Sequence, residues 1–462
     1  MSAANIAADS SDLRESAKAM ARTIAAQNAA KIPDAYYDQV RREYLVPDHS
    51  AGWVAVNETG LKRILRQLGN DAKPRIGEHL SELEQRLVEI QMGRNVHYSG
   101  PVAGHMAGLH ETPDARFLVT RSPAFLRPIE GTWDLLHGVL VGLLGPKQLT
   151  YFFGWLKCAR AGLLTGRHTP GQALAIAGPK DCGKSLIQAL ITPALGGRSA
   201  RPYQFMSGQT PFNAHLFGAE HLVIEDESPA TDNKARRTLG AMVKSLTVNQ
   251  DQSCHRKNGT PVMLRPFWRL TITVNDEPEN LMVLPPLDES LDDKIILLKA
   301  ERRDMPMPTA TPEQREAFWN ALVGELPAFL HHIDTFSIPE RLVSQRFGIT
   351  HYHHPELLGK LDDLSPEFKL LSIIDDHLLR GADVWRGKAS DLERAITDSA
   401  CPYSHEARRL LTWPTACGTY LGRLRRRHPE RFVKAQIGNE RERVWTISPA
   451  VSEHHEQGFS QL

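Results

Sequence analysis

A glycine-rich turn between an apolar run and a helix-like run constrains the fold of this chain more than any other segment. The turn reads Gly178, Pro179, Lys180, Asp181, Cys182, Gly183, Lys184 and Ser185, which match G-x-x-x-x-G-K-[ST]. Strand-like residues 173–177 precede it and helix-like residues 186–195 follow it. In such a context the backbone N–H groups and the helix N-terminus bind phosphate. We therefore expect a P-loop that binds ATP, with Lys184 bridging the β- and γ-phosphates and Ser185 ligating Mg²⁺.

Acidic residues end the next strand pattern, as in a Walker B strand. The apolar run that begins at His221 leads directly into Glu225, Asp226 and Glu227. Carboxylates at the C-terminal edge of a parallel sheet lie beside the bound phosphates. We assign Asp226 to Mg²⁺ through water and Glu227 to polarising the attacking water, while Glu225 competes for either role.

A third strand-like run, residues 270–274, ends at Asn275. An amide at this position can hold the lytic water or the γ-phosphate, as sensor residues do. A single Asn is also a common turn residue, so both interpretations stay open.

Length and composition set the organisation of the chain. Its 462 residues, 41% hydrophobic and 24% charged, predict two or three soluble domains. The net charge of +1 requires any basic site to be local. Strand-like and helix-like runs alternate from residue 172 to 333, which predicts an α/β sheet domain. We place domains at 1–145 (accessory and oligomerisation), 146–350 (motor) and 365–450 (C-terminal).

Cysteine spacing and the N-terminus indicate where the protein works. The five cysteines form no C-x-x-C pair, which favours a reducing cytoplasm over a zinc or disulfide scaffold. The first residues lack a basic region followed by an apolar core, and no apolar run is long enough to span a bilayer. We expect a cytoplasmic protein with no membrane contact.

The order of these motifs resembles that of the superfamily 3 helicases, the AAA+ motors of small viruses, phages and mobile elements. Residues 252–264, between the acids and Asn275, look like their pre-sensor hairpin, because Asn-Gly is a strong hairpin signal. The resemblance implies that the tip residues His255, Arg256 and Lys257 project into a central channel and grip the nucleic-acid backbone. An ordinary surface hairpin with solvated charges is the alternative.

A narrower resemblance covers roughly residues 98–355. Segments 98–104, 275–278 and 346–355 look like the helicase part of phage and genomic-island primase-helicase proteins. Where many superfamily members carry an arginine finger, this chain has Lys294. Lys294 could act as a point charge, although it lacks the fork of arginine, or the finger could be Arg302, Arg303 or Arg346.

The C-terminal segment predicts a winged helix. Helix-like runs at 368–379, 388–398 and 415–427 precede two strand-like runs within 432–447, around the Gly438-Asn439 turn. Basic residues concentrate on the third helix and the wing: Arg423, Arg425, Arg426, Arg427, Lys434, Arg441 and Arg443. They suit a helix in a major groove with phosphate contacts beside it. Winged helices also bind proteins, so that alternative stays open.

Together these patterns predict an α/β protein with an AAA+ P-loop motor, an N-terminal accessory domain and a C-terminal winged helix. The expected activity is that of an ATP-dependent replicative DNA helicase. We expect a hexameric ring that binds single-stranded and forked DNA, and that translocates on and unwinds DNA during replication of a phage or mobile element in a bacterial cytoplasm. A replication initiator or loader without processive unwinding shares every motif. A non-enzymatic regulator with a degraded P-loop is disfavoured by the presence of Lys184, Asp226 and Glu227.

Overall fold

The computed structural model describes residues 33–48, 52–112, 115–225, 233–257, 259–287, 290–380, 384–437 and 442–449. Asp226, Glu227 and Arg441, to which the sequence assigns functions, lie outside these residues. The chain forms two compact units. The first unit comprises residues 1–275 and 288–352, and the second comprises residues 276–287 and 353–462. No helix among the described residues has the length and apolar character needed to cross a membrane.

The N-terminal part of the first unit contains two small sheets and two helices. Its elements are β1 Tyr36–Asp38, β2 Glu43–Pro47, β3 Trp53–Val56, α1 Glu58–Gln67, α2 Glu82–Gly93, β4 Asn95–Val96, β5 Tyr98–Gly100, β6 Gly108–Glu111 and β7 Arg116–Val119. The sheet orders are β3-β2-β1-β4 and β5-β7-β6. Helix α2 begins at a capping box in which Ser81 and Glu84 satisfy each other's backbone N–H groups. The buried leucines of α1 and α2 form one core with Tyr44.

A five-stranded parallel sheet forms the centre of the first unit, in the segment for which the sequence predicts an α/β sheet domain. Its strand order is β14-β8-β13-β10-β9, and every pair is parallel. The elements of this part are α3 Asp134–Thr165, β8 Ala173–Gly178, α4 Lys184–Ala194, β9 Ser199–Ala200, α5 Tyr203–Met206, β10 His221–Glu225, α6 Asn233–Val248, β11 Gln252–Cys254, β12 Val262–Leu264, β13 Arg269–Asn275, α7 Pro278–Leu281 (which belongs to the second unit), β14 Ile295–Lys299, α8 Pro312–Thr335, β15 Val343–Ser344 and β16 Gly348–Ile349.

Two long helices, α3 and α8, pack together beside this sheet in one large apolar core. Helix α3 breaks at Gly145, whose φ of 67° is left-handed, just before Pro146. A proline cannot donate the helical hydrogen bond, and glycine adopts positive φ without strain, so this pair allows the change of direction. The buried Arg160 of α3 forms a bidentate ion pair with Asp334 of α8 at 2.8 Å and donates to the Ala194 carbonyl.

The second unit consists of helices and a three-stranded antiparallel sheet. Besides α7, its elements are α9 Pro355–Asp363, α10 Pro366–Ile373, β17 Trp385–Gly387, α11 Ala389–Thr397, α12 Ser404–Leu410, α13 Ala416–Arg427, β18 Phe432–Ile437 and β19 Glu442–Ile447. The sheet order is β17-β19-β18. A π-helical turn, Ile374–Leu378, extends α10.

The second unit contains four elements that the sequence did not predict, namely helices α7, α9 and α12 and strand β17. Strand β17 has only three residues and is defined by its pairing with β19, far along the chain. Helix α12 has seven residues, of which only Ala407 is buried, so it carries little periodic signal. The predicted turn Gly438-Asn439 lies outside the described residues.

Candidate nucleotide site and nucleic-acid surfaces

The P-loop connects the buried strand β8 to the N-terminus of α4. Asp181 and Gly183 have positive φ values of 59° and 107°, and Gly183 is the N-cap residue of α4. Gly178 lies against the backbone of Ala300, where an added Cβ would be 2.4 Å from the carbonyl oxygen. Glycine is therefore required at 178 by close packing and at 183 by backbone conformation. Ser185 lies exposed in the first turn of α4.

Lys184 is a buried cation whose hydrogen bonds go to uncharged oxygens. Its ammonium group donates to the carbonyls of Gly178 at 2.9 Å and Pro179 at 2.7 Å. It also donates to the Asn275 side-chain oxygen at 3.0 Å. Burying a charge is costly unless an opposite charge or a hydrogen-bond set compensates it. The arrangement suits a phosphate anion, and the helix N-terminus adds its dipole at the same place.

The polar ends of three neighbouring strands meet at this edge of the sheet. In the parallel register, Asn275 is opposite Gly178 and Glu225 is opposite Thr273. Glu225 is partly exposed and lies 3.3 Å from the Arg201 guanidinium. Asp226 and Glu227 continue the chain from Glu225, outside the described residues. Glu225 thus lies at the sheet edge that carries the P-loop and Asn275, and both Glu225 and Glu227 stay candidates for the water-polarising role.

The sequence reading missed Gln188, which joins α4 to the strands beneath it. Its amide donates to the Ile224 carbonyl at 3.2 Å and to Thr271 Oγ1 at 2.9 Å. Its oxygen accepts from Thr273 Oγ1 at 3.0 Å. Gln188 therefore holds the helix that begins at Lys184 in register with the strands that end at Glu225 and Asn275. A polar residue on the apolar face of α4 was the available signal.

The residues that are candidates for the arginine finger differ in how exposed their side chains are. Lys294 is buried and forms an ion pair with Asp293, so its position argues against reaching a neighbouring subunit. Arg346 is half-exposed and lies 2.9 Å from Asp293, with its guanidinium 5.0 Å from the Phe347 ring centre. Arg302 and Arg303 are exposed. Burial therefore disfavours Lys294 and leaves the arginines as candidates.

The predicted hairpin is confirmed, since β11 and β12 pair from Gln252–Leu264 to Cys254–Val262. Lys257, near its tip, is exposed and His255 is half-buried. Arg256 instead lies 4.3 Å from the Tyr98 ring centre and donates to the Ser99 carbonyl. The buried Asp38 lies 3.7 Å from its guanidinium. Arg256 therefore anchors the hairpin to the N-terminal strands, and its position does not support the predicted DNA contact.

A loop before β10 braces the same hairpin. The Asn213 side chain accepts from the His255 backbone N–H at 2.7 Å and donates to the Ser253 carbonyl at 2.9 Å. The neighbouring Phe212 ring meets the His255 imidazole edge-on, at 5.2 Å between centres. Sequence reasoning gave Phe212 and Asn213 no role, because their partners lie some forty residues later in the chain.

The basic residues of the second unit fall into two sets. Arg423 and Arg427, one helical turn apart on α13, form ion pairs with Glu367 and Asp362. Arg425 and Arg426 lie exposed at the end of the same helix. The ion pairs of Arg423 and Arg427 hold these two side chains against their own unit. This position does not support the DNA contacts predicted for them.

The second set, which begins with Arg425 and Arg426, continues onto strands β18 and β19. Lys434 lies 5.1 Å from the Trp445 ring centre, and Arg443 is exposed nearby. Burial, together with the positive charges of Arg443 and Arg425, lowers the pKa of Lys434. The charges of Arg425 and Arg443 therefore act on Lys434. The basic surface thus extends from the end of α13 onto β18 and β19.

Comparison with known proteins supports the fold. Residues 176–290, from β8 to the segment after β13, match the model of a family of unknown function, DUF5906. No curated protein matches the chain.

Among solved structures, the apo C-terminal region of NrS-1, residues 305–718, covers 90% of this chain and 96% of its own length, at 12% identity and a TM-score of 0.51. A second apo form of that region has a TM-score of 0.50 at 11% identity, with the same coverage. These similarities show a common fold. An inhibitor-bound JCV helicase covers 54% of this chain and 66% of its own, at 15% identity and a TM-score of 0.28, too low to bear on the fold.

Proposed function

We propose that this protein is an ATP-dependent DNA helicase of superfamily 3 type that works as a ring during replication of a phage or mobile element. The observation that carries the proposal is the buried Lys184 ammonium, held by neutral oxygens at the N-terminus of α4 and touching Asn275 on the next strand. Three elements thereby converge on one point, where the γ-phosphate of ATP would bind.

The proposed ATP site assigns a task to each residue of this chain. Gly178 to Ser185 surround the phosphates, with Lys184 as the neutralising cation and Ser185 and Asp226 as Mg²⁺ ligands. Mg²⁺ held by these residues would supply positive charge against the charge that develops on the phosphates. Asn275 and Glu227 orient the attacking water. Arg346, half-exposed beside Asp293, would supply the arginine finger to a neighbouring subunit.

The hairpin and the second unit supply the proposed nucleic-acid contacts. Lys257 is exposed on a hairpin braced from two sides, which suits a lever that moves as one body with the motor. The helices and antiparallel sheet of the second unit support a winged helix whose duplex-binding surface is Arg425, Arg426, Lys434 and Arg443. An initiator or loader that uses ATP only to assemble is the second candidate.

Strand separation distinguishes these two functions. The wild-type protein, with ATP and Mg²⁺, should unwind a labelled forked DNA and hydrolyse ATP. Lys184→Ala should abolish both, because it removes the phosphate cation. Lys62→Ala, which alters a surface lysine on α1, is the matched control and should change neither. ATP hydrolysis and DNA binding without strand separation would favour the initiator or loader.

A further inference from the structure

A cavity of about 430 Å³ lies beside the hairpin, within the first unit. The β1–β2 turn contributes Arg41, the loop before β10 contributes Phe212 and His215, and the hairpin contributes His255 and Lys257. Arg41, His215 and Lys257 are exposed, whereas Phe212 is half-buried. We call this space the hairpin cavity.

One buried carboxylate organises both sides of the hairpin cavity. Asp38 accepts the backbone N–H groups of Val40 and Arg41, each at 2.9 Å, and so shapes the turn that carries Arg41. Its second oxygen accepts from Ser99 and lies 3.7 Å from the Arg256 guanidinium. The fully buried Asp38 thus positions both the turn that carries Arg41 and the hairpin that carries Arg256. The two sides of the cavity are therefore held in place by one side chain.

The lining of the hairpin cavity selects the charge of a ligand. Arg41, Arg256 and Lys257 line it, and none of the described residues that line it carries a carboxylate. Asp38 already faces Arg256, so Arg41 and Lys257 provide the accessible positive charge. An anion is therefore the favoured ligand.

The aromatic wall adds a second requirement. Phe212 lines the hairpin cavity and is held edge-on against His255. Every nucleobase has a π face, so aromatic side chains beside a basic groove bind single-stranded nucleic acid with little sequence preference. A ligand that combines a phosphate with a flat ring matches both features.

We propose that the hairpin cavity binds one nucleotide of single-stranded DNA, with its phosphate held by Arg41 and Lys257 and its base against Phe212. This site deepens the proposed function and rests on it. It makes the N-terminal region part of the DNA path, since Arg41 and the hairpin would hold the same nucleotide. A free nucleoside monophosphate shares this chemistry, and the experiment separates the two sources.

The test measures binding of fluorescent oligo(dT) to the full-length protein from low to physiological salt. Arg41→Gln should weaken binding and lower the log-log salt slope by about 0.7, the value for one lost contact on a single strand. Phe212→Leu should weaken binding at least about five-fold with an unchanged slope, because it removes stacking but little charge. Phe212→Trp should restore binding. Arg63→Gln, on the exposed face of α1, is the matched control and should behave as wild type.

Three outcomes would contradict the proposal in different ways. Wild-type binding in both Arg41→Gln and Phe212→Leu, with weakened binding in Lys257→Ala, would overturn the cavity site and leave the helicase proposal standing. Absence of oligo(dT) binding and of unwinding in the wild type would overturn both. In the third outcome, calorimetry shows that dTMP binds to the wild type and not to Arg41→Gln, while oligo(dT) binds equally to both proteins. That result would assign the cavity to a free nucleotide and reject single-stranded DNA as its ligand.

Discussion

At the scale of single residues, the candidate nucleotide site depends on where a few charges lie. Lys184 is in place because β8 and α4 bring it under the loop carbonyls and beside Asn275. The carboxylate that polarises water is less determined, since Glu225 and Glu227 are both candidates at the end of β10. Glu225 contacts the Arg201 guanidinium, so we predict that Glu227 takes that role.

Substituting each of the two glutamates should separate their roles. Glu227→Gln should keep nucleotide binding and lose ATP hydrolysis, because it removes only the water-polarising carboxylate. Glu225→Gln should retain hydrolysis and serves as the matched comparison. Binding of a fluorescent ATP analogue and release of phosphate measure the two steps. Full turnover in Glu227→Gln with loss in Glu225→Gln would transfer the role to Glu225.

We predict that His221 makes the stability of the first unit depend on pH. Its ring nitrogens lie 2.8 Å from Thr192 Oγ1 and Thr271 Oγ1, and burial lowers its pKa to about 3. Below its unfolded pKa of about 6.5, the unfolded chain binds a proton that the folded chain excludes. This residue should therefore lower the free energy of unfolding by about 1.4 kcal/mol per pH unit as pH falls from about 6.5 toward 3.

Urea denaturation at neutral and mildly acidic pH measures this effect. His221→Gln retains polar atoms beside both threonines but does not titrate. The free energy of unfolding of this variant should fall less steeply with decreasing pH than that of the wild type. Equal slopes for the two proteins would show that His221 does not make this contribution.

At the scale of elements, an ion pair joins the two long helices of the first unit. Asp334→Ala should lower the free energy of unfolding by about 3 kcal/mol, because it leaves the buried Arg160 guanidinium without its anion. The double variant Arg160→Met, Asp334→Ala should regain part of that loss, since it removes the unpaired charge as well. Denaturant unfolding measures both. A double variant as unstable as the sum of its single variants would contradict this account.

At the scale of the whole molecule, the two units carry different tasks in the proposed function. The second unit includes residues 276–287, which directly follow β13, as well as the C-terminal part of the chain. Arg427 of α13 donates to the Leu287 carbonyl, so this segment is packed into the unit. Point substitutions therefore test the basic surface better than truncation, which would remove the partners of that segment.

Arg425→Gln with Arg443→Gln should weaken duplex DNA binding and leave basal ATP hydrolysis unchanged. Two lost phosphate contacts should lower the log-log salt slope by about 1.8 on B-form DNA. Arg394→Gln with Arg409→Gln removes the same charge from other exposed positions of the second unit and is the matched control. An unchanged affinity and slope would contradict duplex binding by this basic surface and assign the second unit to protein contacts.

The sequence alone was sufficient to predict features set by neighbouring residues. The P-loop, the strands that end at Glu225 and Asn275, and the hairpin each have local signals: glycine spacing, apolar runs and an Asn-Gly pair. These signals report backbone conformation, which depends mainly on nearby side chains. They also predicted that the polar strand ends would meet at one edge of a parallel sheet.

The tertiary structure decided which basic side chains are available for ligands. Arg256, Arg423, Arg427 and Lys294 looked equivalent to their neighbours in sequence. Their partners Asp38, Glu367 and Asp362 lie far away along the chain, and Lys294 is distinguished by its burial. Whether a charge is paired depends on contacts between distant segments, which no local pattern encodes. For the same reason, only the fold brought Arg41 and Phe212 to the hairpin.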